Sequence, residues 1–328
     1  MRLPAQLYRI SRFRGRHRPA DFEERRPFTR FPAWLRILSS LPFPAWYGFA
    51  RFLAWLLERV IQRRNDVIDM QLAACFPDRD TAWVKATRHA FYRNFADVSV
   101  EIIKAVTMTP DQVDRRVTFE GHESARACLE QGKSVIVLTS HNCNWEWTLL
   151  KLSTAMGCPV QAAYKPLKGN YGDRMMLTLR SRFGAQMIRH KRFLMRVLRH
   201  RGPARIVAMV ADQDPTTSAL RYFTHFMGLD TAFFIGPEAI ARSAQLPVFY
   251  LAMRRVARGH YRVTFVPLAT AGEALASGQL IDRFAAAVES LTREHPADWL
   301  WNYRRWKVQR DAEGHARIVK SGLIGPRA

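Results

Sequence analysis

Cysteine is scarce in this chain: Cys75, Cys128, Cys143 and Cys158 are the only four among 328 residues. Their spacing gives neither a paired metal motif nor a dense disulfide framework, so a reducing compartment, or a face open to one, is the expected setting. Gly-rich phosphate loops and other nucleotide fingerprints are missing as well. No metal and no organic cofactor is therefore expected. Long uncharged apolar runs are also lacking. The longest, Ile37 to Ala50, has 14 residues, against the roughly 18 to 20 that a spanning helix needs. Internal repeats and recognisable domain linkers do not occur. Acidic residues are few, 28 against 51 Lys plus Arg, which leaves a formal charge of +23. Such a surface attracts polyanions: nucleic acid, anionic lipid headgroups or an acidic carrier protein. The arginines are spread along the chain without a nucleic-acid module, so nucleic acid is not an expected partner.

What is present divides the chain into four stretches. Residues 1–30 carry nine arginines against three acidic residues and read as a basic arm, either solvated and mobile or lying on anionic lipid. Residues 31–62 are rich in Trp, Phe and Leu but interrupted by Arg36, Pro42, Pro44 and Arg51. They read as an interfacial or membrane-anchoring helical segment with Trp34, Trp46 and Trp55 at headgroup depth, or as a buried helical hairpin of a soluble domain. The arginines before this segment, and the lack of a small-residue cleavage pattern after it, do not fit a secretory signal. Residues 63–308 read as an α/β domain, and residues 309–328 as a C-terminal tail.

Within the domain, Trp83 to Val106 spaces Val84, Phe91, Phe95, Val98 and Ile102 near a period of 3.6, which predicts a scaffold helix. Strands are expected at Val117 to Glu120, Ser134 to Ser140, Val160 to Tyr164, Ile206 to Ala211, Val248 to Met253 and Tyr261 to Pro267. Helices should start near Asn144, Gly172, Phe193 and Pro237. This alternation predicts a mixed, mostly parallel central sheet covered by helices.

The stretch Ser134 to Trp147 carries the chemistry. A buried-strand pattern ends at Ser140 and runs into the polar and aromatic sequence His141 to Trp147, at the kind of strand end where open α/β sheets place ligands. His141 can act as a general base, and Glu146, five positions on, can come back across the turn onto the imidazole and fix its tautomer. The same two residues can equally cap the helix or hydrogen-bond locally. Asp212-Gln213-Asp214 ends another buried strand at the same sheet edge, where Asp212, Gln213 and Asp214 can orient the site, bind an acceptor, or merely shape a turn or cap a helix. Cys143 raises a rival route through a covalent thioester.

His141, Asn144, Trp145 and Glu146 match the His-x-x-Asn-Trp-Glu pattern of the lipid A late-acyltransferase branch of the lysophospholipid acyltransferase superfamily, which this sequence resembles. The ordered landmarks continue with Arg63-Arg64, Phe76-Pro77, Tyr164-Lys165-Pro166-Leu167, Arg182-Phe183-Gly184, Asp212-Gln213-Asp214, Phe226-Met227-Gly228 and Trp301 to Lys307, spanning about residues 30 to 308. Two positions depart: Cys143 stands where Gly is frequent, and Tyr303 where His is common. The resemblance implies acyl transfer from an acyl thioester on acyl carrier protein or coenzyme A, which is a co-substrate and not a cofactor, to a hydroxyl or amine of a membrane lipid such as a lipid A precursor. Other glycolipids, or pigment and polyene conjugates, are alternative acceptors, and an inactive membrane scaffold of the same fold is a further reading. The resemblance places Arg180 and Arg182 beside the site, where an arginine could hold the oxyanion or a carrier phosphate; Asn144 and Trp145 are expected to bind substrate, and Trp145 and Trp147 to supply an apolar groove for the acyl chain. The bacterial inner membrane, with the catalytic domain facing the cytoplasm, is the implied location. The basic run around His190 and His200, with Lys191, Arg192, Arg196, Arg199 and Arg201, could dock an acidic carrier or be a solvated face.

Overall fold

A computed structural model describes residues 26–62, 64–200, 202–215, 220–311 and 316–319. Most of the expected basic arm, Arg63, Arg201 and most of the tail lie outside the described residues. The chain begins with α1 (Ala33–Ser40) and α2 (Phe43–Trp55), the latter running into a π-helical turn at Leu56–Ile61, followed by α3 (Asn65–Cys75) and α4 (Thr81–Lys104). Next come α5 (Pro110–Asp114), β1 (Val117–Glu120), α6 (Glu123–Glu130), β2 (Val135–Thr139), α7 (Trp145–Ala155) and β3 (Val160–Tyr164). Then follow α8 (Asn170–Ser181), β4 (Gln186–Arg189), α9 (His190–Leu198), β5 (Ile206–Val210) and the hairpin β6 (Arg221–Phe226) and β7 (Leu229–Phe234). The chain continues through α10 (Gly236–Ala244), β8 (Val248–Ala257), β9 (His260–Ala269) and α11 (Gln279–Glu294), and ends in the pair β10 (Val308–Arg310) and β11 (Ala316–Ile318).

Seven strands form one sheet in the order β1-β9-β8-β2-β5-β3-β4. Every neighbouring pair is parallel except the β8–β9 hairpin. This is the expected mixed, mostly parallel sheet. Helices cover both faces, so the central strand β2 is apolar on both sides, and Val135, Ile136, Val137 and Leu138 are all buried. Sequence periodicity does not announce β4 or the β6–β7 hairpin. β4 is a short, half-polar edge strand, and the hairpin lies outside the main sheet, turning at Met227 and Gly228 with φ of 56° and 78°, the double positive φ that a two-residue hairpin loop demands.

The N-terminal segment is helical, and no helix among the described residues is long and apolar enough to cross a membrane. Its inner face buries Leu35, Trp46, Ala50 and Ala54, and α2 packs along α4. The small Ala50 and Ala54 permit that close approach. Its outer face leaves Trp34 at 57%, Ile37 at 71%, Phe52 at 52% and Trp55 at 54% exposure. One expectation is corrected here: Trp46 is not at an interface but in the core, 5% exposed, because it falls on the α4 side of α2.

Candidate active site

The site is built where β2 and β5 end side by side. Their register pairs Thr139 with Val210, and the ladder continues through the Ala211 N–H, which donates to the Thr139 carbonyl at 3.1 Å. Two residues beyond that register pair, His141 therefore stands level with Asp212. His141 Nδ1–H donates to Asp212 Oδ1 at 2.6 Å, and the His141 backbone N–H donates to Asp212 Oδ2 at 2.9 Å. Trp299 Nε1–H donates to the same Oδ2 at 2.9 Å. Burial pushes the Asp212 carboxyl up, but the neighbouring His141 and these hydrogen bonds outweigh it and hold its pKa below the usual carboxylate range. Three donors converge on a buried carboxylate, so the ring keeps its proton on Nδ1 and presents the Nε2 lone pair outward. Gln213 Nε2 lies 3.2 Å from that nitrogen.

The expected partner of His141 was Glu146, and the structure gives a different one. Glu146, on the first turn of α7, is gripped by Arg180 of α8, whose Nε donates to Oε2 at 2.8 Å and Nη2 to Oε1 at 2.6 Å. Trp145 Nε1–H adds a bond to Oε1 at 3.2 Å. A spacing of five positions allowed either arrangement, but Asp212 already occupies the Nδ1 side of the ring. Burial lowers the pKa of the Arg180 guanidinium, yet the Glu146 charge outweighs that and leaves it raised, so the ion pair stays intact. Glu146 is 4% exposed, and removing one member of a buried pair strands the other charge at a cost of about 3–5 kcal/mol. Arg180→Met is accordingly expected to lower the chemical-denaturation midpoint by an amount equivalent to about 3 kcal/mol, with Arg180→Lys in between because it keeps the charge and loses the fork.

His141, Trp145, Glu146, Arg180 and Gln213 line one cavity of about 550 Å³. Its walls run down from the site between α7 and the sheet, past Leu149 and Leu152 on the helix and Val137, Ala162 and Ala208 on the strands. The exposed Lys165 and Lys168 stand at its open side. The cavity thus has an apolar depth, a cationic mouth and a polar centre.

Other sequence candidates lie elsewhere. Asn144 is fully buried; its Oδ1 accepts the Trp147 N–H at 3.1 Å and caps α7, while its Nδ2 donates to Glu101 Oε2 at 2.9 Å. It does not line the cavity, so a substrate-binding role is replaced by a capping one. Trp147, expected in an apolar groove, is 0% exposed and packs edge-on against Phe43 and Tyr261. Arg182 donates to the Ala105 carbonyl and lies 4.6 Å over the Phe183 ring, outside the cavity lining. Asp214 accepts from Arg305 Nη1 at 2.9 Å and from the Tyr303 hydroxyl at 3.4 Å, tying the C-terminal landmark down without reaching the cavity.

Cys143 adopts φ of 50°, the left-handed region where glycine is at ease, at a cost of order 1–3 kcal/mol for other residues. Its thiol is buried, and burial, with Asp298 beside it, raises its pKa well above the ordinary thiol value. A neutral, enclosed thiol is a poor nucleophile. Trp299 was missed as a site residue, because it reaches the dyad only through tertiary approach. Gln213 belongs to the Asp212-Gln213-Asp214 stretch expected to orient the site or bind the acceptor, and it lines the cavity.

No group of three or more His, Cys, Asp or Glu residues suited to a metal occurs among the described residues. No curated protein matches the chain. The family model for bacterial lipid A biosynthesis acyltransferases matches residues 31–308.

Proposed function

Since the chain belongs to the bacterial lipid A biosynthesis acyltransferase family, and is thus an acyltransferase acting in lipid synthesis, we propose that it uses His141 as general base to move a fatty acyl group from a thioester to a hydroxyl or amine of a membrane lipid. The observation that carries this reading is the His141–Asp212 dyad at the head of a cavity with apolar depth. The acyl chain lies in that depth, which brings the thioester carbonyl beneath the imidazole. His141 Nε2 takes the acceptor's proton as the acceptor oxygen or nitrogen attacks the carbonyl carbon. The tetrahedral oxyanion is stabilised by the Arg180 charge and by the Gln213 amide, both on the cavity wall. Collapse breaks the carbon–sulfur bond, and the imidazolium returns the proton to the departing thiolate.

The donor is acyl carrier protein or coenzyme A thioester, either of which brings phosphate to the mouth held by Lys165 and Lys168. The lipid acceptor is a lipid A precursor, and the site of action is the cytoplasmic face of the inner membrane. Incubating the protein with radiolabelled acyl-carrier-protein thioester and a total lipid extract tests the reading. A new labelled lipid supports it and identifies the acceptor; unconsumed thioester with every extract would overturn it.

The exposed apolar face of α1 and α2, on a chain of net charge +23, fits seating on an anionic lipid surface. Replacing Ile37 and Phe52 together by Glu is expected to weaken binding to anionic vesicles by more than about tenfold, since burying each such side chain contributes about 1.5–3 kcal/mol. The thermal midpoint should hardly move, as both side chains are already in water in the isolated protein. Vesicle co-sedimentation of the double variant checks this, and unchanged binding would place the contact elsewhere.

A further inference from the structure

Glu101, on α4, is 0% exposed, and its side chain accepts hydrogen bonds from three separate elements. The Tyr47 hydroxyl of α2 donates to Oε1 at 3.0 Å, Asn144 Nδ2 donates to Oε2 at 2.9 Å, and the Tyr261 hydroxyl of β9 donates to Oε2 at 2.6 Å. Its backbone carbonyl accepts from Trp147 Nε1 at 3.2 Å. Burial pushes the Glu101 carboxyl up, and Arg255 with these hydrogen bonds offsets only part of that, so its pKa stays above the usual carboxylate range. A carboxylate taken so far from water adds little to stability compared with a well-packed apolar side chain. What it does supply is orientation.

Asn144 can cap α7 only with its oxygen toward the Trp147 N–H, and that requires its amide nitrogen to face Glu101. The first turn of α7 carries Trp145, whose ring stands 4.8 Å from the His141 ring, and Glu146, the partner of Arg180. Tyr47 brings α2, the helix with the exposed aromatic face, onto the same carboxylate. Resting on the acyl-transfer reading above, we propose that Glu101 is a positioning residue which locks the start of α7, and with it the Trp145–Glu146 wall of the cavity, to the seated helix α2.

Asn144→Asp tests the lock. The new carboxylate keeps the capping oxygen but turns its second oxygen toward Glu101 Oε2, so two acceptors oppose each other. Adding Glu101→Gln supplies an amide that donates to the aspartate, while the hydroxyls of Tyr47 and Tyr261 rotate to suit. The single variant is expected to lose roughly ten- to a hundredfold in kcat with donor KM little changed, and the double variant to regain most of it. Amide hydrogen exchange over residues 145–147 should quicken in the single variant and slow again in the double, a reading independent of turnover. Wild-type kcat and exchange in Asn144→Asp, or a double variant no better than the single, would overturn the proposal. Absence of turnover in the wild type would instead count against acyl transfer, and exchange alone would then decide about Glu101. Should Asn144→Asp fail to fold, Tyr47→Phe removes one hydroxyl, with an expected loss of about two- to tenfold in kcat. An unchanged kcat in that variant would overturn the link to α2.

Discussion

His141→Ala is expected to lower kcat for acyl transfer by about a thousandfold, within the range that a positioned general base contributes, while the protein remains folded. The fold survives because the side chain sits at the cavity wall, 17% exposed, and Asp212 keeps two of its three donors, Trp299 Nε1 and the backbone N–H of residue 141. The loss corresponds to about 4 kcal/mol of transition-state stabilisation, compared with about 1 kcal/mol of stability for one hydrogen bond. The two quantities therefore separate cleanly. Steady-state transfer of labelled acyl groups measures the first and thermal unfolding the second. A variant with undiminished transfer would remove His141 from the mechanism.

Asp212→Asn is expected to cost nearly as much, about a hundred- to a thousandfold in kcat, for a reason specific to this geometry. The amide has one acceptor oxygen, and two donors, the residue 141 N–H and Trp299 Nε1–H, already point at Oδ2. With the oxygen held there, the amide nitrogen faces His141 Nδ1 and makes that ring nitrogen an acceptor. The ring proton moves to Nε2, and the base loses its lone pair toward the cavity. Rate against pH gives a second check. The Asp212 pKa lies below the usual carboxylate range, so the wild-type rate should not fall through Asp212 protonation until pH drops below about 4. A wild-type profile whose acid limb vanished in Asp212→Asn without loss of the plateau rate would contradict the tautomer argument.

Much of the fold could be read in advance because the inner strands are unmixed apolar runs. β2 and β5 are apolar on both faces and sharply bounded, whereas β4 mixes Gln and Arg with Met and Ile and leaves no clear period. The location of the candidate site was also legible, since a polar stretch directly after a buried strand marks the sheet edge at which open α/β folds bind ligands. The pairing inside it was not. His141 and Glu146 are close in sequence, but their partners arrive from 71 and 34 residues downstream. Which strands become neighbours is decided by packing that a single sequence does not display. Aromatic composition was similarly silent about facing: Trp46 and Trp55 belong to the same helix, yet one is buried and the other half exposed. The backbone at Cys143 is left-handed, a conformation that glycine would adopt without strain.

The non-consecutive adjacency of β2 and β5 has a consequence for how the working protein comes into being. The imidazole at residue 141 must wait for residue 212, and the carboxylate there must wait for the indole at residue 299. Contacts that far apart along the chain close slowly, and a domain of this size gathers its parts as they leave the ribosome. The His141–Asp212–Trp299 contacts are therefore among the last to close, after residue 299 has been made. On the membrane-seating proposal, a nascent chain carrying the exposed apolar face of α1 and α2 meets the lipid surface before these contacts have formed.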